Sequence, residues 1–122
     1  MGVFYTDCEV VHKSNPKKSA KVAHLLVDSG SEFTWISGSV LQQLGIKVEK
    51  KDVPFVMANG QTITRSIGYA ILRADGFETI DEVVFAQQGD LLLLGARTLE
   101  GFGALVDSRK KRLVAAGPYP AA

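Results

Sequence analysis

Hydrophobic and polar positions alternate along residues 2–12, a stretch rich in Val, Phe, Tyr and Thr, and this period of two predicts a first strand ending near His12 and Lys13. Residues 14–19 then gather Asn15, Pro16, Lys17 and Lys18, a polar hairpin loop in which proline cannot donate to a ladder and the lysines prefer water. The partner strand covers residues 20–27. Phe33-Thr34-Trp35-Ile36 predicts a short strand, and Ser37 is placed to cap a short helix whose Val40, Leu41 and Leu44 share one face before Gly45 stops it. Residues 53–58 and 61–73 predict two strands joined at Asn59-Gly60, the pair favoured in a tight two-residue turn. Another turn at residues 74–77 precedes a strand over 79–85. After the polar stretch 87–90, Leu91-Leu92-Leu93-Leu94 predicts a second buried strand stopped by Gly95, and residues 98–102 a helical turn interrupted by Gly101 and Gly103. A last hairpin pairs 104–107 with 113–115. The sum is mainly β with one or two short helices, without repeat or internal linker, and is compatible with a small Greek-key barrel.

One carboxylate stands out against this pattern. In Leu26-Val27-Asp28-Ser29-Gly30 the two apolar residues close a strand that reads as buried, Ser29 and Gly30 turn the chain, and Asp28 is left at the strand's end, where a charge is costly unless something uses it. Asp-Ser-Gly alone is an ordinary turn. Weight comes from order: a hydrophobic strand, Asp28-Ser29-Gly30-Ser31, Thr34 and Ile36, a short helix, the Asn59-Gly60 hairpin and the Leu93-Leu94-Gly95 strand end.

Composition narrows the setting. At 122 residues the chain is expected to form one domain, 1–122, and 14 basic against 13 acidic residues leave no global field to select nucleic acid or anionic lipid. The sole cysteine, Cys8, cannot make an internal disulfide and reads as a buried or half-buried strand residue. No apolar run approaches the ~18 residues needed to span a bilayer, and the N-terminus lacks the regions of a signal peptide, so a cytoplasmic protein away from membranes is expected. His12 and His24 have no Cys or paired acids at ligand spacing, so neither a metal nor another cofactor is expected. No Gly-x-Ser-x-Gly elbow surrounds Ser29 or Ser31, which argues against a serine nucleophile. Arg109-Lys110-Lys111-Arg112 falls on a hairpin turn and reads as a solvated turn rather than a nucleic-acid patch.

Together the Asp28-Ser29-Gly30 strand end, the Asn59-Gly60 hairpin, Ile67-Gly68 and Leu93-Leu94-Gly95 resemble the retropepsin-like aspartic proteases, from about Gly2 to Ala115. The order of elements also resembles the protease-like domain of the eukaryotic DNA-damage-inducible proteins. The resemblance implies a small closed Greek-key barrel of the retropepsin type. Because the chemistry needs two facing carboxylates and this chain carries one such motif, it also implies a homodimer. Asp28 of each copy would share a proton with its partner, one carboxylate acting as general base on water and the other protonating the oxyanion. Ser29 would hydrogen-bond across the dimer, and Gly30 would let the substrate backbone approach. Ser31, where the family usually has alanine, would keep the backbone accessible as a small residue. Met57, Ala58, Asn59 and Gly60 would form a flap over a polypeptide substrate, and Leu93-Leu94-Gly95 would pass beneath the catalytic loop, with Leu93 contacting substrate; Met57 and Thr62 face either substrate or core. Trp35 either lines a substrate pocket or fills the core. One departure concerns an arginine that retroviral enzymes place directly after the strand-end glycine: here Ala96 intervenes before Arg97, so its ion pair with an acid near the catalytic loop, Glu32, would be rearranged. The competing readings are a noncatalytic dimeric peptide-binding module with the same fold, and a nucleic-acid-binding barrel, which the near-zero charge disfavours.

Overall fold

The structure is a computed structural model and describes residues 3–121. Gly2, at the start of the expected first strand, and Met1 and Ala122, the ends of the expected domain, lie outside the described residues. Strands β1 (Tyr5–Val11) and β2 (Ser19–Val27) form the expected hairpin, with Cys8, Val10, Leu25 and Val27 turned into the core. Its register shifts between Thr6 and Cys8, where His24 takes φ 62° and gives its N–H to Asp7 Oδ1 at 3.1 Å. Burial pushes the Cys8 thiol up to about 12, as befits an inert core residue.

β3 (Thr34–Ser37) leads into α1 (Gly38–Gln43). The start of this helix departs from expectation: Ser37 makes no side-chain cap, its hydroxyl meeting that of Ser39 at 2.9 Å instead. Its end is the expected one. Gly45 and Ile46 give their N–H groups to the Gln42 and Leu41 carbonyls, and Leu41 and Ile46 are buried behind them. The remaining elements are β4 (Lys50–Val56), β5 (Thr62–Ala74), β6 (Phe77–Ala86), β7 (Leu93–Leu94), α2 (Ala96–Phe102), β8 (Ala104–Asp107) and β9 (Arg112–Ala115).

The main sheet runs β1-β2-β7-β3-β6-β5-β4, and β5 also pairs back onto β1 through Glu9 with Arg73, Val10 with Leu72 and Val11 with Ile71. That pairing closes the sheet into a barrel and leaves β4 outside the ring. The 13-residue β5 therefore serves two structures, its first half pairing with β4 in a projecting hairpin and its second half completing the barrel. β8 and β9 make a separate two-stranded sheet.

Alternation along β3 and β6 builds two apolar clusters. Ile36, Val83 and Phe85 join Leu25, Leu41, Leu72 and Leu94 in the main core, while Trp35, Val84 and Ala86 point the other way and meet Ile67 and Leu93. β3 and β6 pair in parallel and are covered on both faces, which is why they read as continuous apolar runs. Among the described residues no helix is long and apolar enough to cross a membrane.

Candidate active site

Asp28 is delivered by the pairing of β2 with β7. The two run parallel with Leu26 beside Leu93 and Val27 beside Leu94, and the Asp28 N–H continues the ladder onto the Leu94 carbonyl at 3.0 Å. Beyond that bond the chain turns, the Ser31 N–H reaching the Asp28 carbonyl at 3.2 Å. Both carboxylate oxygens are then occupied from within the turn: Gly30 N–H donates to Oδ1 at 2.9 Å and the Ser31 hydroxyl to Oδ2 at 3.0 Å. Ser31 thus orients the carboxylate directly, beyond the spacer role expected of a small residue. A hydroxyl three residues after an aspartate at a turn was the available signal. Ser29 stands exposed on the same turn.

Beneath this loop the start of α2 passes very close. Ala96 N–H donates to Ser31 O at 2.7 Å and Arg97 N–H to Glu32 O at 3.0 Å, fastening the loop from below. Gly95 permits the approach, since a Cβ there would lie 2.6 Å from the Phe33 carbonyl carbon and 2.9 Å from Ser31 O. Two fully buried threonines complete the support. Gly95 N–H donates to Thr34 Oγ1 at 3.0 Å, the Thr34 and Thr98 hydroxyls meet at 2.5 Å, and Thr98 donates to Asp81 Oδ2 at 2.8 Å. With the Thr98 proton given to Asp81, the bond between the two hydroxyls is donated by Thr34, so each hydroxyl in the series is satisfied in one direction. Thr98 and Asp81 carried no signal in the sequence, because their roles depend on α2 packing against β6.

Asp28 opens onto a cleft of about 550 Å³, which Gly30, Ser31, Trp35, Met57, Ala58 and Leu93 also line. Trp35 answers both readings made of it. It is 8% exposed and packed in the smaller cluster, its ring 5.0 Å from that of Phe55, yet it contributes to the cleft floor. Phe55 meets Phe33 edge-on at 5.4 Å, and the Arg97 guanidinium lies 4.4 Å above the Phe33 ring.

The hairpin of β4 and β5 overhangs this cleft, but its turn differs from the expected form. Gly60 N–H bonds Met57 O and Met57 N–H bonds Gln61 O, both at 2.8 Å, so Ala58 and Asn59 occupy the corner and Gly60 follows at φ 84°. This is a type I turn with a glycine bulge rather than a turn centred on Asn59-Gly60. Asn59 Oδ1 accepts the Gln61 N–H at 2.9 Å, and Asn59 and Gly60 sit at the exposed tip rather than on the cleft wall. A second correction concerns the leucine run. Only Leu93 and Leu94 form buried strand, whereas Leu91 and Leu92 are 68% and 39% exposed in the preceding loop, Leu91 on the cleft wall.

Of the other carboxylates at the cleft, Glu32 faces Arg97 at 3.4 Å and Asp90 is held by Arg65 at 2.7 Å. The shifted Arg97 keeps the Glu32 partner and adds Glu82 at 2.9 Å. Among the described residues Asp28 is therefore the cleft carboxylate without a cationic partner. No three His, Cys, Asp or Glu side chains gather at one place among those residues. His12 instead accepts the Ser14 and Asn15 N–H groups at its Nδ1, and His24 stacks on Tyr5 with ring centres 4.1 Å apart. The basic run 109–112 covers the exposed β8–β9 turn and the first residue of β9, and Asp107 Oδ1 accepts two backbone N–H groups there.

Comparison with known proteins agrees with this geometry. The family described as gag-polyprotein putative aspartyl protease matches residues 18–101. The crystal structure of the retroviral protease-like domain of Ddi1 from Leishmania major superposes with a TM-score of 0.56 at 15% sequence identity, covering 94% of this chain and 89% of that one. The likeness establishes a retropepsin-like fold. No curated protein sequence matches the chain.

Proposed function

The chain belongs to the gag-polyprotein putative aspartyl protease family, and on that premise we propose that it is an aspartic endopeptidase, a single domain that works as a homodimer. The observation that carries this reading is the Asp28 carboxylate itself: unpaired with any cation among the described residues, oriented at both oxygens by Gly30 and Ser31, and set on the floor of a cleft under a projecting hairpin. One chain supplies one such group. Two copies related by a two-fold axis bring two Asp28 side chains together, and like charges at that range share a single proton. The ionised carboxylate takes a proton from a bridging water as its oxygen attacks the scissile carbonyl carbon, and the protonated partner gives its proton to the carbonyl oxygen. Collapse of the resulting tetrahedral species breaks the C–N bond, with the leaving amine protonated by the carboxyl that accepted the water proton. Ser29 bridges the two loops across the axis, Met57 and Ala58 close over the substrate, and Trp35 and Leu93 meet its side chains. The substrate is a polypeptide, and the lone buried Cys8 suits a reducing cytoplasm.

A diverse peptide library, incubated with the protein between about pH 4 and 7 and read by mass spectrometry, tests the reading. Cuts made by the wild type should vanish with Asp28→Asn while that variant still folds and dimerises. Cuts that persist in Asp28→Asn would overturn the assignment. A confirmed wild-type dimer that binds peptides without cutting them would favour the noncatalytic peptide-binding module.

A further inference from the structure

The loop over residues 87–92 joins β6 to β7 and forms one wall of the cleft, while the β4–β5 hairpin forms the facing wall. A side-chain ion pair ties them. Arg65, opposite Val53 in the half of β5 that belongs to the hairpin, donates from Nε to Asp90 Oδ2 at 2.7 Å and from its Nη2 to Asp90 Oδ1 at 2.8 Å. The two parallel bonds make a fork that a lysine could not reproduce. Both side chains are nearly buried, 13% and 10% exposed, whereas the Arg73–Glu9 pair on the barrel surface is 45% and 43% exposed. Asp90 also closes its own loop, its Oδ2 accepting Gln87 N–H at 2.8 Å and its N–H reaching Gln87 O at 3.0 Å.

On the far side of this loop lies a second cavity, about 700 Å³, lined by the polar groups of Ser37, Ser39, Gln42 and Ser66. Asp90 borders both spaces. Leu91 faces the cleft and Leu92 the second cavity, which Val48 and Phe85 also line, so the loop is a partition between an apolar, aromatic-floored site and a more polar one. Its downstream anchor is the two-residue β7, and the fork joins the partition to the hairpin across the cleft.

We propose that the Arg65–Asp90 fork is a latch that sets the width of the cleft and so restricts the substrate to small apolar side chains at the position between Leu91, Leu93 and Trp35. This rests on the endopeptidase reading. Arg65 and Asp90 are positioning residues that act through the loop and hairpin they join. Releasing the fork lets residues 87–92 swing towards the polar cavity, which enlarges the pocket and frees the hairpin together.

Two measurements on the intact protein test this. In the peptide-library assay, Asp90→Asn should lower the preference for small over bulky residues at that position by about tenfold, with KM rising more than kcat falls. Arg65→Lys, which keeps charge and loses the fork, should give an intermediate shift. Amide hydrogen exchange should quicken together over residues 57–62 and 87–92 in Asp90→Asn, and the reversed pair Arg65→Asp with Asp90→Arg should restore the protection of residues 57–62 and the size preference, while Gln87 N–H, which loses its carboxylate acceptor, stays fast. A uniform fall in all cuts with the preference unchanged would overturn the latch. So would faster exchange confined to the loop. If the wild type cuts no peptide, the endopeptidase reading fails by itself, and the coupled exchange of hairpin and loop still decides whether the latch exists.

Discussion

The Arg65 guanidinium beside Asp90 holds that carboxyl below its ordinary value of 3.8, with the Gln87 N–H adding to the effect and burial opposing it. A carboxyl depressed in the folded state contributes stability that is fully present above its unfolded value and is lost as pH falls through the folded one. Asp90→Asn should therefore be less stable than wild type by about 1–2 kcal/mol near neutral pH, and the gap should close as pH falls below about 4. Urea unfolding at one fixed protein concentration, at pH values on both sides of that point, measures the gap; a difference that persists unchanged into acid would show that the charge on Asp90 is not what stabilises the fold. Sequence reasoning saw only loop polarity in Asp90, because its partner lies 25 positions away and the pairing exists only once β5 and the loop are brought together. Asp28 was legible because its signal is local, an apolar strand broken by a turn. Ser31 lies between the two: the sequence shows its small size, and its hydroxyl acquires a partner only when the turn brings it back onto Asp28.

At the level of elements, the strand–loop–strand order could be read along almost the whole chain, since burial on one or both faces writes itself into apolar periodicity. The misreadings sit where a local pattern serves something other than its commonest role. Leu91 and Leu92 look like the start of a buried strand and instead line the loop, and Asn59-Gly60 looks like the centre of a tight turn, whereas Asn59 shares the corner with Ala58 and Gly60 follows it. Gly95 carries the sharper consequence. Its missing side chain lets the start of α2 run directly under the Ser31–Phe33 backbone, which cannot yield as a flexible side chain would. Gly95→Ala should cost about 1–3 kcal/mol of stability through this overpacking. It should also lower kcat of the folded fraction, because the loop that shifts to make room is the one whose Ser31 orients Asp28. Thermal unfolding and kinetics on the same sample separate the two effects; lost stability with full kcat would mean that the support beneath the loop does not position the carboxylate.

On the scale of the whole molecule, the barrel closes on itself through β1 and β5, while among the described residues the other carboxylates of its cleft, Glu32 and Asp90, are held by Arg97 and Arg65 and leave Asp28 no free partner to share a proton. The proposed catalyst is complete only when two barrels meet, and this makes its rate a property of pairs. At concentrations below the dimer constant, activity per chain should rise with total protein and level off once dimers dominate. Mixing gives a stricter test, because Asp28→Asn removes one carboxylate without touching the packing of β2 against β7. If the variant pairs as readily as the wild type, equal amounts of the two should leave active dimers as about a quarter of all dimers, since only wild-type pairs carry both groups. Activity per total chain in such a mixture, equilibrated and held above the dimer constant, should thus fall to about a quarter of the pure wild-type value. A chain that cuts peptides alone would retain about half, because dilution by an inert neighbour removes only its own share. The squared dependence on the wild-type fraction, traced over several mixing ratios, separates a shared site from an independent one without any knowledge of the natural substrate.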